Sequence, residues 1–206
     1  MFLPCPCSPY ENDQSTDSYI VDWDTIESHH KFMNSADYGP AITNLGALID
    51  GQPTIIHADF VDNGARRIAF SAPVTELVRV YMKSQSSSME GNAQKLLEVL
   101  NEHAPGFVGG VSGWVVEDVE HEKLGPGVKG KVFAAAVGWQ SVDAHMNFRE
   151  TEQFKSNIHL LTDEATAVDM HHVKLMQPEG VEPPRPDDDP RIGGLGDKDI
   201  GQQTTM

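Results

Sequence analysis

Apolar and polar positions along the chain follow two different periods, which predict a succession of strands and helices. The segment Val74–Met82 alternates in the manner of a half-buried strand. Downstream of it, apolar residues recur at helical spacing and share one face. These residues are Ala93, Leu96, Leu97, Leu100 and Ala104. Ser87 and Glu90 predict a capping box at the start of this helix, and Pro105-Gly106 predicts its end.

The second half of the chain continues this alternation of elements. The predicted elements are a strand at 113–121, an apolar strand at 132–137 that ends at Trp139, a helix capped by Ser141, a short helix at 151–161 and a strand at 168–176. The resulting order is βαββαβ. We therefore predict an α+β fold with a complete ferredoxin-like unit over residues 74–176.

The first part of the chain predicts fewer elements and two ends that have no core. The predicted elements are a strand at 19–23, a helix from about Thr25, a short helix at 41–49 and a strand at 54–60. Residues 61–73 contain an Asn-Gly turn signal and predict a linker. Residues 1–18 and 177–206 are rich in Pro, Asp and small polar residues, so we expect a disordered lead-in and a disordered acidic tail.

One pattern occurs twice and marks an internal repeat: Trp, five residues, His, two residues, Phe. The copies are Trp23, His29 and Phe32 in the first unit and Trp139, His145 and Phe148 in the second. With a gap of one residue, His57 also aligns with His172. The first unit, at 19–60, therefore corresponds only to the last strand, helix and strand of the complete unit. Such a truncated unit leaves sheet edges unpaired, so we expect a homodimer or higher self-association.

Composition and charge exclude several classes of function. The formal net charge is −16 at pH 7, whereas nucleic acids and anionic membrane surfaces attract clustered Lys and Arg. The two cysteines, Cys5 and Cys7, are too few for a cysteine zinc site. No apolar stretch approaches the roughly 20 residues that span a bilayer, and the N-terminus lacks a signal-peptide pattern. We expect a cytoplasmic protein with no nucleic-acid or membrane partner.

These motifs resemble the dimeric α/β-barrel superfamily, and within it the antibiotic-biosynthesis-monooxygenase-type (ABM) domains that fungi often carry in tandem. The resemblance rests on the βαββαβ order, on the segment 138–145 (GWQSVDAH) and on the segment 170–174 (MHHVK). It covers residues 74–176 well and residues 19–60 weakly. It implies that two sheets pair into a barrel with helices outside, and that small ligands lie between a sheet and its own helices.

The resemblance carries site residues over in part. Cofactor-free oxygenases of this type use a tryptophan at the strand end, which matches Trp139 and Trp23. They place a tyrosine six residues further on, where this chain has His145 and His29. Their asparagine ahead of the tryptophan has Ala135 as its counterpart in the complete unit.

Other branches of the superfamily match less well. The haem-degrading branch has a histidine where Arg149 stands, and the cyclase branch has a tyrosine and a histidine where Phe148 and Phe154 stand. The resemblance therefore implies a cofactor-independent enzyme, without a metal, that acts on a small aromatic or polyketide-like molecule by oxygenation or a related conversion. The alternative is a non-catalytic barrel that binds a ligand or has a structural, stress-type role.

His145 is the leading candidate for catalysis, and Trp139 and His172 are further candidates. A histidine in a half-dry pocket is a suitable general base near neutral pH. On the core face of a helix, the same residue can instead hydrogen-bond to the sheet and hold the helix in place. The repeat favours this structural role, since one pocket needs only one base. A metal site formed by His145, His172 and a third ligand is conceivable, but no residue spacing in the sequence requires one. The equivalent residues of the first unit are Trp23, His29 and His57.

The space between sheet and helices separates the enzyme hypothesis from the structural one, because a pocket requires it to be hollow. Bulky residues are predicted to line this substrate pocket and are also large enough to fill it: Trp114, Phe133, Met146, Phe148 and Phe154. Met146 shares the predicted apolar helix face of His145. The acidic stretch at 117–122 predicts a solvated strand end rather than an acid–base pair.

Deletion of residues 177–206 should leave the melting temperature within about one or two degrees of that of the full chain, because an exposed, disordered end contributes little packing. Thermal melts of the two chains, followed by circular dichroism, check this prediction. A fall of more than about 5 °C would show that the segment packs against the folded part of the chain.

Overall fold

The computed structural model describes residues 3–4, 20–46, 55–60 and 64–176. The helices are α1 (Ile26–Met33), α2 (Tyr38–Gly46), α3 (Ala65–Phe70), α4 (Met89–His103), α5 (Val142–Arg149), α6 (Glu152–Asn157) and α7 (His159–Thr162), with a 3₁₀ turn at Glu122–Leu124. The strands are β1 (Leu3–Pro4), β2 (Ala58–Phe60), β3 (Val74–Met82), β4 (Phe107–Val115), β5 (Val119–Glu120), β6 (Lys129–Trp139), β7 (Ala167–Val173) and β8 (Leu175–Met176). The predicted tail, and all of the predicted lead-in apart from residues 3–4, lie outside the described residues. None of the described helices is long and apolar enough to cross a membrane.

The main sheet is antiparallel and has the strand order β2-β4-β6-β3-β7, with β5 paired to β6. The long strands β3 and β6 lie in its middle and pair from Val74 opposite Trp139 to Met82 opposite Lys131. Within residues 74–176, the first and third strands of the βαββαβ order are thus the inner ones, as in a ferredoxin-like unit. The α+β, ferredoxin-like prediction is confirmed. β1 and β8 form a separate two-stranded pairing.

The first unit contributes a strand to the sheet of the second. In β2, Ala58 lies opposite Val115 and Phe60 lies opposite Gly113, so this short strand extends the sheet beyond β4. At the other edge of the described sheet is β7, which pairs with β3. The described strands do not show a closed barrel, and closure stays a prediction.

Apolar side chains form a layer on each face of the sheet, as the alternation of strand residues requires. On one face, Met82 and Phe133 belong to a cluster with Met89 of α4. On the other face, Phe70 of α3 packs in a cluster with Ala136. The sheet is therefore covered by α4 and α5 on one side and partly by α3 on the other.

Helix α3 occupies part of the segment that the sequence predicts as a linker. Gly64 stands at its N-cap with a positive φ of 86°. The helix lies close to the sheet where glycines leave room: a Cβ on Gly138 would be 3.1 Å from the backbone oxygen of Ala69, and a Cβ on Gly109 would be 2.8 Å from the Cγ2 of Ile68. The sequence pattern did not predict α3, because close tertiary packing rather than local periodicity selects this helix; the assignment of residues 61–73 as a linker stays a prediction.

Two predicted strands have different bounds in the structure. β4 begins at Phe107, earlier than the predicted start at 113. Gly109 and Gly110 weaken the strand pattern in the sequence, yet they allow helices to pack closely on β4. The predicted strand at 19–23 is wrong for 21–23, since Ile20 alone forms a bridge.

The predicted capping box of α4 is also wrong. Ser88 is the N-cap residue, and its side chain makes no capping hydrogen bond. Its hydroxyl donates to the carboxylate of Glu164 instead. A tertiary hydrogen bond thus replaces the local one that the Ser87 and Glu90 spacing predicts.

Gly113→Ala should loosen β2 from β4, because the new Cβ would collide with the backbone carbonyl of Asp59. The collision is with backbone and cannot be relieved by a rotamer change, so we expect a cost on the order of 1–3 kcal/mol. Hydrogen–deuterium exchange should become faster in Ala58–Phe60 and α1, while the amides of β3 keep their protection.

Gly91→Ala is the matched control for this substitution. Gly91 is exposed in α4, and a Cβ there would meet nothing within 4 Å. It should leave β2 protected and raise helix stability by up to about 1 kcal/mol. Unchanged exchange of β2 in the Gly113→Ala chain would contradict the observed pairing.

Candidate functional site

The second unit contains a cluster of three aromatic rings between helix and sheet, formed by Trp139, His145 and His172. Trp139 ends β6, and Ser141 caps α5 by accepting a hydrogen bond from the backbone N–H of Ala144 at 3.1 Å. The ring of His145 stacks on Trp139 with centroids 4.8 Å apart and an interplanar angle of 23°. Its Nδ1 lies 2.8 Å from the Nε2 of His172 on β7. The cluster therefore joins the strand before α5, α5 itself and the strand after it.

The first unit contains the same cluster, formed by Trp23, His29 and His57. Thr25 caps α1 as Ser141 caps α5. His29 stacks on Trp23 with centroids 4.5 Å apart and an interplanar angle of 17°. The Nδ1 of His29 lies 2.6 Å from the Nε2 of His57. The internal repeat thus extends to the same pair of nitrogen atoms.

A glutamate accompanies each cluster, but from a different side. Glu76 of β3 lies beside Trp139 and His145: its Oε2 accepts the indole N–H at 3.0 Å and is 3.6 Å from His145 Nε2. Glu117, which follows β4, instead lies beyond His57. It accepts the backbone N–H of His57 at 2.8 Å and contacts Nδ1 of the ring at 2.5 Å. The first cluster therefore depends on a residue of the second unit.

Burial strongly shifts the pKa values of the titratable residues in the second cluster. It raises the pKa of Glu76 to about 7, although the Trp139 hydrogen bond and the charge of Arg149 oppose the rise. Burial, together with the charges of His172 and Arg149, lowers the pKa of His145 to about 3. The pKa of His172 is lowered by burial and by neighbouring cations. At neutral pH both imidazoles are uncharged, so one donates and the other accepts their shared hydrogen bond.

The pKa shifts in the first cluster are smaller. Burial is the main cause for His29, and hydrogen bonding is the cause for Glu117. Burial, followed by the charges of His57 and His30, lowers the pKa of His29. Burial alone would raise the pKa of Glu117, but the hydrogen bonds from His57 outweigh it and hold the pKa below its ordinary value. An ionised Glu117 therefore accepts from both N–H groups of His57.

Sequence reasoning missed both glutamates. Glu76 lies on the same face of its strand as Val74, Val78 and Val80. A charged residue within an apolar strand face is unusual, and this could have marked Glu76 as a site residue. Glu117 carried no such signal, because its partner is distant in sequence. The prediction that it belongs to a solvated strand end is wrong, since it pairs with His57.

The residues predicted to line a substrate pocket do not converge. Trp114 and Phe133 contact each other in the cluster near α4, whereas Phe148 and Phe154 pack near Trp139. Met146 is 43% exposed, so its predicted place on the buried helix face is wrong.

In the described part of the chain, an open surface cavity of about 480 Å³ lies beside α5. Its lining residues are Pro105, Ser141, Asp143, Ala144, Asn147, Phe148 and Thr151. A smaller cavity of about 240 Å³ lies near the 3₁₀ turn. Neither is lined by Trp139, His145 or His172, and His145 is only 3% exposed. The sequence left open whether the space between sheet and helices near His145 is hollow or filled. In the structure this space is filled.

No family model and no curated protein matches the chain. Several solved structures resemble it weakly. A candidate monooxygenase from Lactobacillus acidophilus has a TM-score of 0.42 at 11% identity, with 74% of this chain and 68% of that chain covered. A candidate monooxygenase from Fusobacterium nucleatum has a TM-score of 0.40 at 10% identity, with 75% and 67% covered. A dimeric ferredoxin-like protein of unknown function from Thermobifida fusca has a TM-score of 0.29 at 8% identity, with 56% and 96% covered. At such TM-scores, function has to be argued from the residues of this chain.

Acidification should destabilise the first cluster. His29 gains a proton more readily in the unfolded chain, so its contribution is full above its ordinary pKa of 6.5 and is lost as pH falls. The contribution of Glu117 is full above its ordinary pKa of 4.5 and is lost as pH falls further. The two effects have the same sign. Denaturant midpoints measured from about pH 7 to about pH 5 should therefore fall less steeply in His29→Gln than in the unaltered chain.

His159→Gln is the control for this pH series, because His159 is an exposed histidine on α7. It should reproduce the pH dependence of the unaltered chain. Equal slopes for His29→Gln and the unaltered chain would show that His29 does not resist protonation.

Proposed function

We propose that the protein is a non-catalytic ferredoxin-like protein in which two Trp–His–His clusters fasten helices to the sheet. One observation carries this proposal: the same cluster occurs in both units, with the same nitrogen atoms in contact, and neither histidine pair opens into a described cavity. A catalytic base needs access to its substrate. His145 is 3% exposed, and it stacks on Trp139, which is 1% exposed.

The proposed organisation of the chain follows from the pairing of β2 with β4. Residues 19–60 form a partial unit, residues 74–176 a complete unit, and the segment between them connects the two, as in the tandem ABM-type proteins that the sequence resembles. The first unit is held by β2 and by the contact of His57 with Glu117. Among the described strands, β7 has no neighbour on its outer side, and this edge supports self-association, since an exposed strand edge invites further pairing.

A second candidate function is a cofactor-independent enzyme of the ABM type that oxygenates or otherwise converts an aromatic or polyketide-like molecule. Glu76 favours it, because a buried carboxyl group with a pKa of about 7 is suited to proton transfer at neutral pH. Phe148 also supports it, since this residue both lines the 480 Å³ cavity and packs 6.3 Å from the ring of Trp139. In this reading His145 is the base, and the first-unit histidines are structural.

Thermal and denaturant unfolding of His145→Ala and His29→Ala, in the presence of a chelator, tests the proposed function. Each substitution removes a ring that stacks on a tryptophan, and it removes one hydrogen bond from a partly buried histidine. We expect losses on the order of 1–3 kcal/mol from both. His103→Ala is the control, because His103 is exposed at the end of α4; it should cost less than about 0.5 kcal/mol.

The enzyme candidate predicts a different pattern. A base held in an active site contributes little to stability, so His145→Ala would then be nearly neutral or stabilising while His29→Ala would still be costly. That outcome would overturn the structural proposal. If both variants instead lose a comparable amount of unfolding free energy, His145 contributes to stability. It is then not a catalytic base held at the expense of stability.

A further inference from the structure

Glu76, His145 and His172 come from three different elements, yet their side chains converge between the sheet and α5. One ligand atom from each lies within 4.8 Å of the other two. Glu76 and His145 are buried, and His172 is partly buried. We propose that these three residues form a binding site for a divalent transition-metal ion of the zinc class.

The distances place the three side chains near coordination geometry. Bonds of about 2.1 Å around a tetrahedral zinc ion put neighbouring donor atoms about 3.4 Å apart. The observed limit of 4.8 Å therefore requires side-chain movements of about 1 Å. The hydrogen bond between His145 and His172 would be exchanged for two bonds to the ion. Two imidazoles and one carboxylate are a ligand set used for zinc and for non-haem iron.

The charge of Glu76 supplies a second argument. An ionised carboxylate inside a protein is costly unless a cation compensates it. The described contacts of Glu76 Oε2 are the indole N–H of Trp139 at 3.0 Å and Nε2 of His145 at 3.6 Å, and His145 is itself one of the proposed ligands rather than a charged partner. An ion bound by all three side chains would place positive charge next to this carboxylate.

Trp139 holds the carboxylate in the orientation that the site requires. Its indole N–H donates to Oε2 of Glu76 at 3.0 Å, and its ring stacks on His145. Groups that orient ligands in this way commonly strengthen metal binding, and their loss weakens it by roughly 10–100-fold. The supporting contacts are therefore built into the cluster.

The first unit provides a control inside the same chain. It has the equivalent tryptophan and both histidines, but its glutamate, Glu117, lies on the far side of His57. Among the described residues, the convergence of three such donor groups occurs at Glu76, His145 and His172. Metal binding should therefore distinguish the two clusters, although their stacking and hydrogen bonding are alike.

The experiment is a titration of the full chain with cobalt(II), which reports its coordination by visible d–d absorption. The chain is stripped of metal and carries Cys5→Ser and Cys7→Ser, so that no thiolate contributes. We expect saturation at about one equivalent, with competition by zinc. Glu76→Gln should weaken binding by at least about 10-fold and keep the fold, since the amide oxygen can still accept the Trp139 N–H. His172→Ala should weaken it further.

The matched variants are Glu117→Gln and His57→Ala, which alter the first cluster and should bind cobalt as the parent does. Circular dichroism of each variant establishes that it is folded; if His172→Ala unfolds, Glu76→Gln decides. The proposal is overturned if the parent shows no saturable binding, or if folded Glu76→Gln binds as tightly as the parent. It is equally overturned if the first-cluster variants lose binding to the same extent.

Discussion

A hydrogen bond between a histidine on a helix and a second histidine on or directly before a strand organises each unit of this protein. α1 and α5 have only eight residues each, and isolated helices of that length are not stable in water. Each helix is held because its histidine stacks on the tryptophan ahead of it and shares a hydrogen bond with a second histidine, which is His172 on β7 or His57 directly before β2. In the second unit the contact thus joins β6, α5 and β7 at one point. Two protonated rings would repel each other and leave no nitrogen to accept, so the bond requires that at least one of the two imidazoles accept through an unprotonated nitrogen.

The two clusters have different glutamates, and both glutamates lie within residues 74–176. Glu76 belongs to the first strand of the complete unit, and the partial unit has no counterpart of that strand. The first cluster instead uses Glu117, at the end of the second strand of the complete unit. The same contact therefore orients His57 and attaches the first unit to the second. The first cluster therefore depends on a residue outside residues 19–60.

Glu76 also makes the register of the sheet specific. It occupies the apolar face of β3, next to β6, where Trp139 donates to it. A shift of the strand by one residue would place this carboxyl group on the opposite face and leave the indole N–H without its acceptor. A buried polar pair of this kind contributes less to stability than to the choice of one pairing over another.

The sequence by itself determined the ferredoxin-like order of residues 74–176 and the correspondence between the two clusters. Both depend on local signals: apolar period, the caps Thr25 and Ser141, and the repeated spacing of Trp and His. Tertiary structure alone decided the rest. α3 and the early start of β4 depend on close packing at glycines, and Glu117 acquires its role from His57, its partner across the two units. The filled space around His145 likewise depends on side chains from separate elements. Periodicity records which face of an element is buried, whereas the partner that covers this face is set by contacts between residues distant in the chain.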